Sequence, residues 1–191
     1  GWVFSTWIAE RFDFTAYLGF FGRESVGKTR ALEVLNELCF RAWFTTGLTT
    51  ATLFRLVERF NPTLLLDEGE FLNVQERKEL VSLLNAGQRR GIMIPRMTGE
   101  HNEIVELFSV YCPKAISGTE KLKKTTRSRM ITFNMTKNIR PIPKLIDKKE
   151  GATLRSKLLM WRFKKIAELK NTLTLKQKIA MHELKVATEF P

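Results

Sequence analysis

The chain has 191 residues, of which 43% are apolar, and a formal net charge of +12. This length suits one α/β domain with a short helical appendage, and the apolar content excludes wholesale disorder. The charge is unevenly spread: residues 1–112 carry 12 basic and 14 acidic side chains, whereas residues 113–191 carry 20 and 6. A basic surplus confined to one part of a chain favours a polyanionic partner, most simply nucleic acid, with a merely solvated basic surface as the alternative.

The sequence offers no support for a membrane span, a secreted chain or metal catalysis. No run of about 18 uncharged apolar residues is present, and the start of the chain lacks the pattern of a signal peptide. Cys39 and Cys112 are far apart in apolar surroundings, which predicts buried thiols in a reducing compartment. His101 and His182 have no neighbouring ligand at helical spacing. We therefore expect a cytoplasmic protein.

Apolar periodicity predicts helices and strands in alternation. In chain order the pattern predicts a helix at 2–12, a strand at 15–21, a helix at 28–40, a strand at 42–46, a helix from 49 or 50 to 60, a strand at 63–67, a helix at 74–90, a hairpin at 92–110, strands at 113–117 and 129–135, and helices at 153–169 and 175–187. Such alternation predicts a three-layer α/β fold with a mostly parallel central sheet. Pro141 and Pro143 open a connector, so we expect a core at 1–140 and a basic helical extension at 141–191.

A glycine-rich loop lies between a predicted strand and a predicted helix. It matches the pattern G-x-x-x-x-G-K-[ST], and with the residue that follows it comprises Gly22, Arg23, Glu24, Ser25, Val26, Gly27, Lys28, Thr29 and Arg30. Backbone N–H groups of such a P-loop, with the positive end of the following helix, bind phosphates. Lys28 would place a charge against the β- and γ-phosphates, and Thr29 would offer a hydroxyl to Mg²⁺. No Asn-Lys-x-Asp motif is present, which favours ATP over GTP.

Two adjacent carboxylates, Asp67 and Glu68, end the apolar strand that begins at Thr63. Ligands of open α/β sheets bind at the carboxyl ends of the strands. Asp67 would hold Mg²⁺, and Glu68 would orient and polarise the attacking water. The pair favours hydrolysis of the β–γ phosphoanhydride bond over transfer to a second substrate.

With the motifs at 22–29 and 63–68, residues 5–140 resemble the additional-strand catalytic-glutamate class of P-loop ATPases. Within that class the chain is similar to AAA+ proteins and to the helicase-like ATPase domains of plasmid and viral replication proteins. The resemblance implies a polar residue at the end of the strand beside the acidic one, in contact with the γ-phosphate or the water. Ser117 is the first candidate for this role, and Thr119 is the second.

The resemblance also implies an arginine that reaches the γ-phosphate bound to a neighbouring subunit. Arg129 precedes the final predicted core strand and fits this role, with Arg127 in support. Such an arginine stabilises charge on the transferring phosphoryl group. A residue supplied in trans requires a homo-oligomer, in this family usually a hexameric ring.

Helicases of these families often carry a hairpin before the strand that here bears Ser117, and that hairpin points into the ring pore. The predicted hairpin at 92–110 occupies this place, with Arg96 and His101 as candidates for contact with a DNA strand. Its tip is acidic, so Arg89 and Arg90 are alternative candidates. A hairpin used only for packing is the other interpretation.

Three functions remain open from the sequence. The first is an ATP-driven, helicase-like motor on DNA, within a replication protein of a plasmid or virus. The second is an ATPase switch, such as a transposition-helper, clamp-loader-like or packaging ATPase. The third is a non-catalytic DNA-binding module that nucleotide stabilises, which the intact set Lys28, Thr29, Asp67 and Glu68 disfavours. The basic extension fits a partial lid, a phosphate-contacting arm or a solvated helix.

Overall fold

The structure, a computed structural model, describes residues 1–46, 49–67, 74–98, 103–119, 124–139, 142–143 and 145–188, with no side chains described at 50, 74–77, 124 and 169–188. Its helices are α1 (Trp2–Trp7), α2 (Lys28–Leu38), α3 (Thr50–Phe60), α4 (Val74–Ala86), α5 (Lys124–Arg127) and α6 (Lys148–Thr188), with a 3₁₀ turn at Ala9–Arg11. Its strands are β1 (Tyr17–Phe21), β2 (Ala42–Thr45), β3 (Thr63–Leu66), β4 (Met93–Thr98), β5 (Ile104–Ser109), β6 (Lys114–Gly118) and β7 (Met130–Asn134).

Five strands form one parallel sheet in the order β2-β3-β6-β1-β7. The strands β1, β3 and β6 are buried along their whole length. Continuous burial is the pattern of parallel strands whose two faces are both covered by helices. The predicted α/β fold with a parallel central sheet and a C-terminal helix is therefore confirmed.

One face of the sheet packs against α1 and α2, and α6 lies outside these two helices. Leu18 and Phe20 of β1 meet Leu32 and Leu35 of α2 in one apolar cluster. Helix α6 is held on this side by two ion pairs, Arg155–Glu37 at 2.5 Å and Arg162–Glu10 at 2.6 Å, and by the edge-to-face contact of Trp161 with Phe4.

The opposite face packs against α3, α4 and the β4–β5 hairpin. Leu64 and Leu66, which alternate with the residues of the first face, lie in a second cluster with Phe54 of α3, Leu83 of α4 and Phe108 of β5. The hairpin and α6 are consequently on opposite sides of the sheet.

Helix α4 ends at Ala86, four residues before the predicted end at Arg90. The chain leaves the helix because its next residues pair with the segment before β1: the Thr15 N–H donates to the Gln88 carbonyl. Gly87 allows this exit, since a Cβ there would lie 2.3 Å from the carbonyl oxygen of Val110.

Helix α6 is continuous over 41 residues, whereas the pattern predicted two helices with a break between 169 and 175. The intervening asparagine and threonines lower helix propensity by only a few tenths of a kcal/mol each, and no proline or glycine interrupts the segment. The short helix α5 was not predicted. Within the described part of the chain, no helix combines the length and the apolarity needed to cross a bilayer.

Candidate nucleotide-binding site

The glycine-rich loop connects the carboxyl end of β1 to the first turn of α2. Ser25 and Gly27 have positive φ values of 58° and 93°. Left-handed residues interleaved in a tight loop are the backbone form of anion-binding nests. Gly27 is also the residue that precedes the first turn of α2, so the positive end of this helix lies at the loop.

The start of the loop is fixed between two strand ends. The Gly22 N–H donates to the Gly118 carbonyl at 3.3 Å, and the Met135 N–H donates to the Phe21 carbonyl at 2.6 Å. A Cβ at Gly22 would lie 2.4 Å from the Met135 carbonyl oxygen, so the approach of β7 requires glycine here. The sequence contained no signal for this contact between residues 113 positions apart.

Lys28 is folded into the loop, with only 5% of its surface exposed. Its ammonium group donates to the carbonyls of Gly22 and Arg23, at 2.9 Å each. No carboxylate among the described residues forms an ion pair with Lys28. A buried cation whose described partners are backbone carbonyls is costly, and an anionic phosphate would offset that cost. The residues present thus fit a bound phosphate.

Asp67 follows β3, so it lies at the carboxyl end of the parallel strands, as the loop does, and it is buried. Its backbone N–H donates to the Thr45 carbonyl at 3.0 Å, and its carboxylate accepts a hydrogen bond from the hydroxyl of Ser117 on β6. The pairing of Leu66 with Ile116 in adjacent parallel strands brings these two side chains together. The structure therefore joins Asp67 and Ser117 in one site.

The strand β6 lies between β1, which leads into the loop, and β3, which leads to Asp67. Ser117 sits near the end of this intervening strand, whereas Thr119 follows it and is half-buried. Ser117 lies near the end of the strand beside the one that leads to Asp67, and its contact with the γ-phosphate or the water stays a prediction.

The loop helix and β3 also present oxygen ligands suited to Mg²⁺. Thr29 lies in the first turn of α2 with an exposed side chain, and Asp67 supplies one carboxylate. Magnesium is usually held by one or two carboxylates together with substrate phosphates and water. These two residues fit that donor set. Among the described residues, no three His, Cys, Asp or Glu side chains gather into a metal cluster of their own.

The remaining predicted residues of this site are Glu68, which follows Asp67, and the outer residues of the loop. Glu68, the predicted base, lies outside the described residues. Arg30 pairs with Glu33 at 3.3 Å and donates to the Pro143 carbonyl at 3.0 Å, so it ties the connector to α2. The exposed side chains of Arg23, Glu24 and Ser25 are at the rim of the loop, with half-buried Val26 beside them.

Arg129 and Arg127 lie near the amino-terminal end of the parallel strands, whereas the loop lies at their carboxyl end. Arg129 immediately precedes β7, which is parallel to β1 and pairs Met130 with Tyr17. Its guanidinium donates to the Thr125 carbonyl, and the Arg127 side chain is exposed. A five-residue strand spans about 17 Å. Neither arginine is therefore placed to contact phosphates bound by its own chain.

The hairpin predicted at 92–110 is present as β4 and β5, but Arg96 is not available for a DNA strand. Its guanidinium pairs with Glu79 of α4 at 3.0 Å and lies 4.6 Å from the centre of the Phe54 ring. His101 lies outside the described residues. Arg90 is also engaged, because it donates to the Ala9 carbonyl at 2.9 Å.

Arg89 lies over an aromatic ring, with its guanidinium 5.6 Å from the centre of the Phe14 ring. It also sits in the short bridge that pairs it with Phe14. The hydrophobic pattern predicted the hairpin, and the arginines beside it are visible in the sequence. The contacts of their guanidinium groups depend on residues of other elements, which a local pattern does not show.

No protein-family model matches the chain, and a search of curated protein sequences finds no significant match. Solved structures of JCV helicase are similar to it. One with a bound inhibitor has a TM-score of 0.43 and 14% identity, and one described simply as JCV helicase has a TM-score of 0.44 and 13% identity; each covers 71% of this chain. The chain spans 39% of the length of these helicase chains.

The strand order and the loop define the class of fold without help from these comparisons. A parallel sheet carries a glycine-rich loop after its β1 strand, and an extra strand separates β1 from the strand that ends in Asp67. The chain has the three-layer α/β fold of P-loop nucleotide triphosphatases.

Proposed function

We propose that this chain binds ATP with Mg²⁺, hydrolyses its β–γ bond and couples the reaction to work on DNA as a helicase-like motor domain. The observation that carries the proposal is that buried Lys28, in the loop after β1, and the hydrogen-bonded pair of Asp67 and Ser117 all lie at the carboxyl end of the parallel strands.

Phosphate recognition is the best-supported part of the proposal. The loop offers positive-φ backbone at Ser25 and Gly27, a helix N-terminus and the buried ammonium of Lys28. Each of these features attracts anionic oxygens. On binding, Lys28 would exchange the carbonyls of Gly22 and Arg23 for phosphate oxygens, which are stronger acceptors.

Hydrolysis requires a base, a polar positioning group and neutralisation of charge. Glu68, next to Asp67, is proposed as the carboxylate that orients the water and takes its proton. Ser117 fixes the Asp67 carboxylate from the neighbouring strand. Thr29 and Asp67 would hold Mg²⁺, which when bound neutralises phosphate charge.

Completion of the site is proposed to need a second chain. Arg129 lies about a strand length from its own loop, so its proposed contact with the γ-phosphate is made across a subunit boundary. A homo-oligomer, and in this class of ATPases a ring, would bring Arg129 of one chain to the glycine-rich loop of the next.

DNA is the proposed object of the motor because the basic surplus lies in residues 113–191. Part of this positive charge is neutralised within the protein, since Arg155 and Arg162 form ion pairs with Glu37 and Glu10. Lys137, Lys148 and Lys149 are exposed around the connector and could contact phosphates. In this proposal residues 1–140 are the ATPase core and 141–191 the basic extension.

Steady-state ATP hydrolysis with and without single-stranded DNA tests the proposal. We expect turnover that rises with DNA and is abolished in a Glu68→Gln variant, which keeps the shape of the side chain but removes the base. A strand-displacement assay then separates a helicase-like motor from an ATPase switch. Nucleotide binding without turnover under either condition would contradict the proposal.

A further inference from the structure

Two exposed aromatic rings, Trp43 and Phe60, lie together at one edge of the sheet. Trp43 belongs to β2, the terminal strand in the sheet order, and is 41% exposed. Phe60, the last residue of α3, is 46% exposed, and its ring stacks on that of Trp43 with the centroids 5.9 Å apart and the planes inclined by 28°. Large rings are mostly buried in folded proteins, so this exposed aromatic pair is a candidate binding surface.

Regular secondary structure fixes the position of the aromatic pair. Ala42 and Phe44 pack in the apolar cluster on the α2 side of the sheet. Successive side chains of a strand point to opposite faces, so Trp43 lies on the face that α3 covers. Helix α3 ends at Phe60 because Asn61 takes a left-handed conformation, with a φ of 44°. The end of the helix therefore places one ring against the other.

Two arginines border the aromatic pair. The Arg59 guanidinium lies over the Phe60 ring, 5.6 Å from its centre, and the Arg41 guanidinium donates to the Phe60 carbonyl at 3.1 Å. Both arginines are exposed, and no described carboxylate forms an ion pair with either of them. Glu58 contacts the hairpin instead, where its carboxylate accepts a hydrogen bond from the Ser109 N–H. The described border of the two rings is consequently cationic.

A cavity of about 180 Å³ lies beside the aromatic pair. Its polar and charged lining includes Arg41, Asn61, Arg162 and Glu10. Arg162 and Glu10 form an ion pair at 2.6 Å, which leaves the charge of Arg41 in surplus. A guanidinium has five N–H donors, so Arg41 can hold the Phe60 carbonyl and a phosphate oxygen together. The cavity therefore offers room and charge for a phosphate next to the rings.

We propose that the aromatic pair, with Arg41 and Arg59, is a contact site for single-stranded DNA. Unpaired bases stack on the exposed surface of Trp43, and backbone phosphates contact the two guanidinium groups. The cationic border and the net charge of +12 favour a nucleic acid over a protein as the occupant. Duplex DNA is excluded from this mode because its base faces are already covered.

This site rests on the proposed action on DNA, and it lies apart from the nucleotide loop. Arg41 immediately precedes β2, whereas the loop follows the carboxyl end of β1, which runs parallel to the other strands of the sheet. Binding of DNA at the aromatic pair is therefore measurable without ATP and separately from hydrolysis.

Fluorescence anisotropy of a labelled oligothymidylate, measured without ATP, tests the site. Trp43→Ala should bind about 5–100-fold more weakly than the parent, which is the loss expected for one base stack. Trp43→Phe keeps a ring for stacking and should recover most of the affinity. Arg59→Gln should weaken binding and reduce the slope of log affinity against log salt concentration by about 1, because one phosphate contact is lost.

Phe133→Ala is the matched control. Phe133 is 45% exposed and stacks on the Phe20 ring with the centroids 5.3 Å apart, but it belongs to β7, at the opposite edge of the sheet from β2. This variant should bind the oligonucleotide as the parent does. Far-ultraviolet circular dichroism should show all variants folded, and Arg59→Gln, which changes an exposed side chain, decides the test if Trp43→Ala is not.

Parent-like affinity of Trp43→Ala would overturn the proposal and would leave the aromatic pair to a protein partner. An equal loss in Phe133→Ala, or a parent that binds no oligonucleotide, would also overturn it. Turnover judges the ATPase proposal separately. Weaker binding by Trp43→Ala in a chain that does not hydrolyse ATP would support the site and contradict the motor, whereas DNA-stimulated turnover with unchanged affinity of Trp43→Ala would do the reverse.

Discussion

The hydroxyl of Ser117 donates a hydrogen bond to the carboxylate of Asp67, from one strand of the sheet to its neighbour. The two residues are 50 positions apart, and both are buried. The bond directs the Asp67 carboxylate and leaves fewer of its lone pairs unsatisfied in a dry site. It thus links the extra strand to the residue proposed to hold Mg²⁺.

Ser117→Ala should raise the Mg²⁺ concentration needed for half-maximal ATP hydrolysis by about tenfold, because residues that orient a metal-binding carboxylate typically affect metal affinity by 10–100-fold. A Mg²⁺ titration of turnover measures the change. Ser128→Ala is the control, since the Ser128 hydroxyl is exposed and donates to the Thr125 carbonyl. An unchanged titration for Ser117→Ala would show that the bond does not position Asp67.

Gly22→Ala should destabilise the fold as well as the loop. The added Cβ would meet the Met135 carbonyl at 2.4 Å, and forcing extra atoms into close-packed backbone costs about 1–3 kcal/mol. Urea denaturation measures the free energy of unfolding. Gly1→Ala is the control, because a Cβ there has no neighbour within 4 Å. Equal free energies of unfolding for the two variants would mean that the backbone at Met135 does not exclude a side chain at position 22.

Arg129→Ala should lower turnover by about a thousandfold while leaving ATP binding intact, as expected for an arginine that acts on the transferring phosphoryl group. Mixing it with Lys28→Ala, which should also be inactive, should restore activity at sites that combine the Lys28 of one chain with the Arg129 of another. Arg55→Ala, which removes an exposed arginine of α3, is the control. If the mixtures were inactive, Arg129 would either act within its own chain or have no part in catalysis.

Cys39 and Cys112 should resist thiol reagents in the folded protein. Both are free and buried, and burial raises the pKa of the Cys39 thiol to about 12 and raises that of Cys112 as well. At pH 8 only about one Cys39 in ten thousand would be a thiolate, the reactive form. Native protein should show no rapid reaction with a chromogenic disulfide at pH 8, and two thiols should react in denaturant. A fast thiol in the native state would contradict the packing around these residues.

The sequence predicted the elements that depend on local pattern. The strand before Gly22, the strand before Asp67 and the hairpin follow from short apolar runs bounded by turn residues, and all are present. The loop motif is recognisable because its chemistry depends on residue types at fixed spacing.

What the sequence did not predict depends on contacts between distant residues. The exit from α4 at Gly87 follows from pairing with the segment before β1, and the fate of Arg96 follows from Glu79 and Phe54. Likewise, Arg155 forms an ion pair with Glu37, so its positive charge is neutralised within the protein, although the composition had suggested a basic surface. Such partners are set by the tertiary fold, which no local window contains.

Titration of the parent protein and of the Lys28→Ala variant with a fluorescent ATP analogue tests most directly whether the loop is a nucleotide site. With Mg²⁺ present, we expect the parent to bind and Lys28→Ala to bind about 10–100-fold more weakly, the loss expected for a charged hydrogen-bonding partner. Lys78→Ala, which removes an exposed lysine of α4, should bind as the parent does. Equal binding by the parent and Lys28→Ala would contradict the assignment of the loop to phosphate recognition.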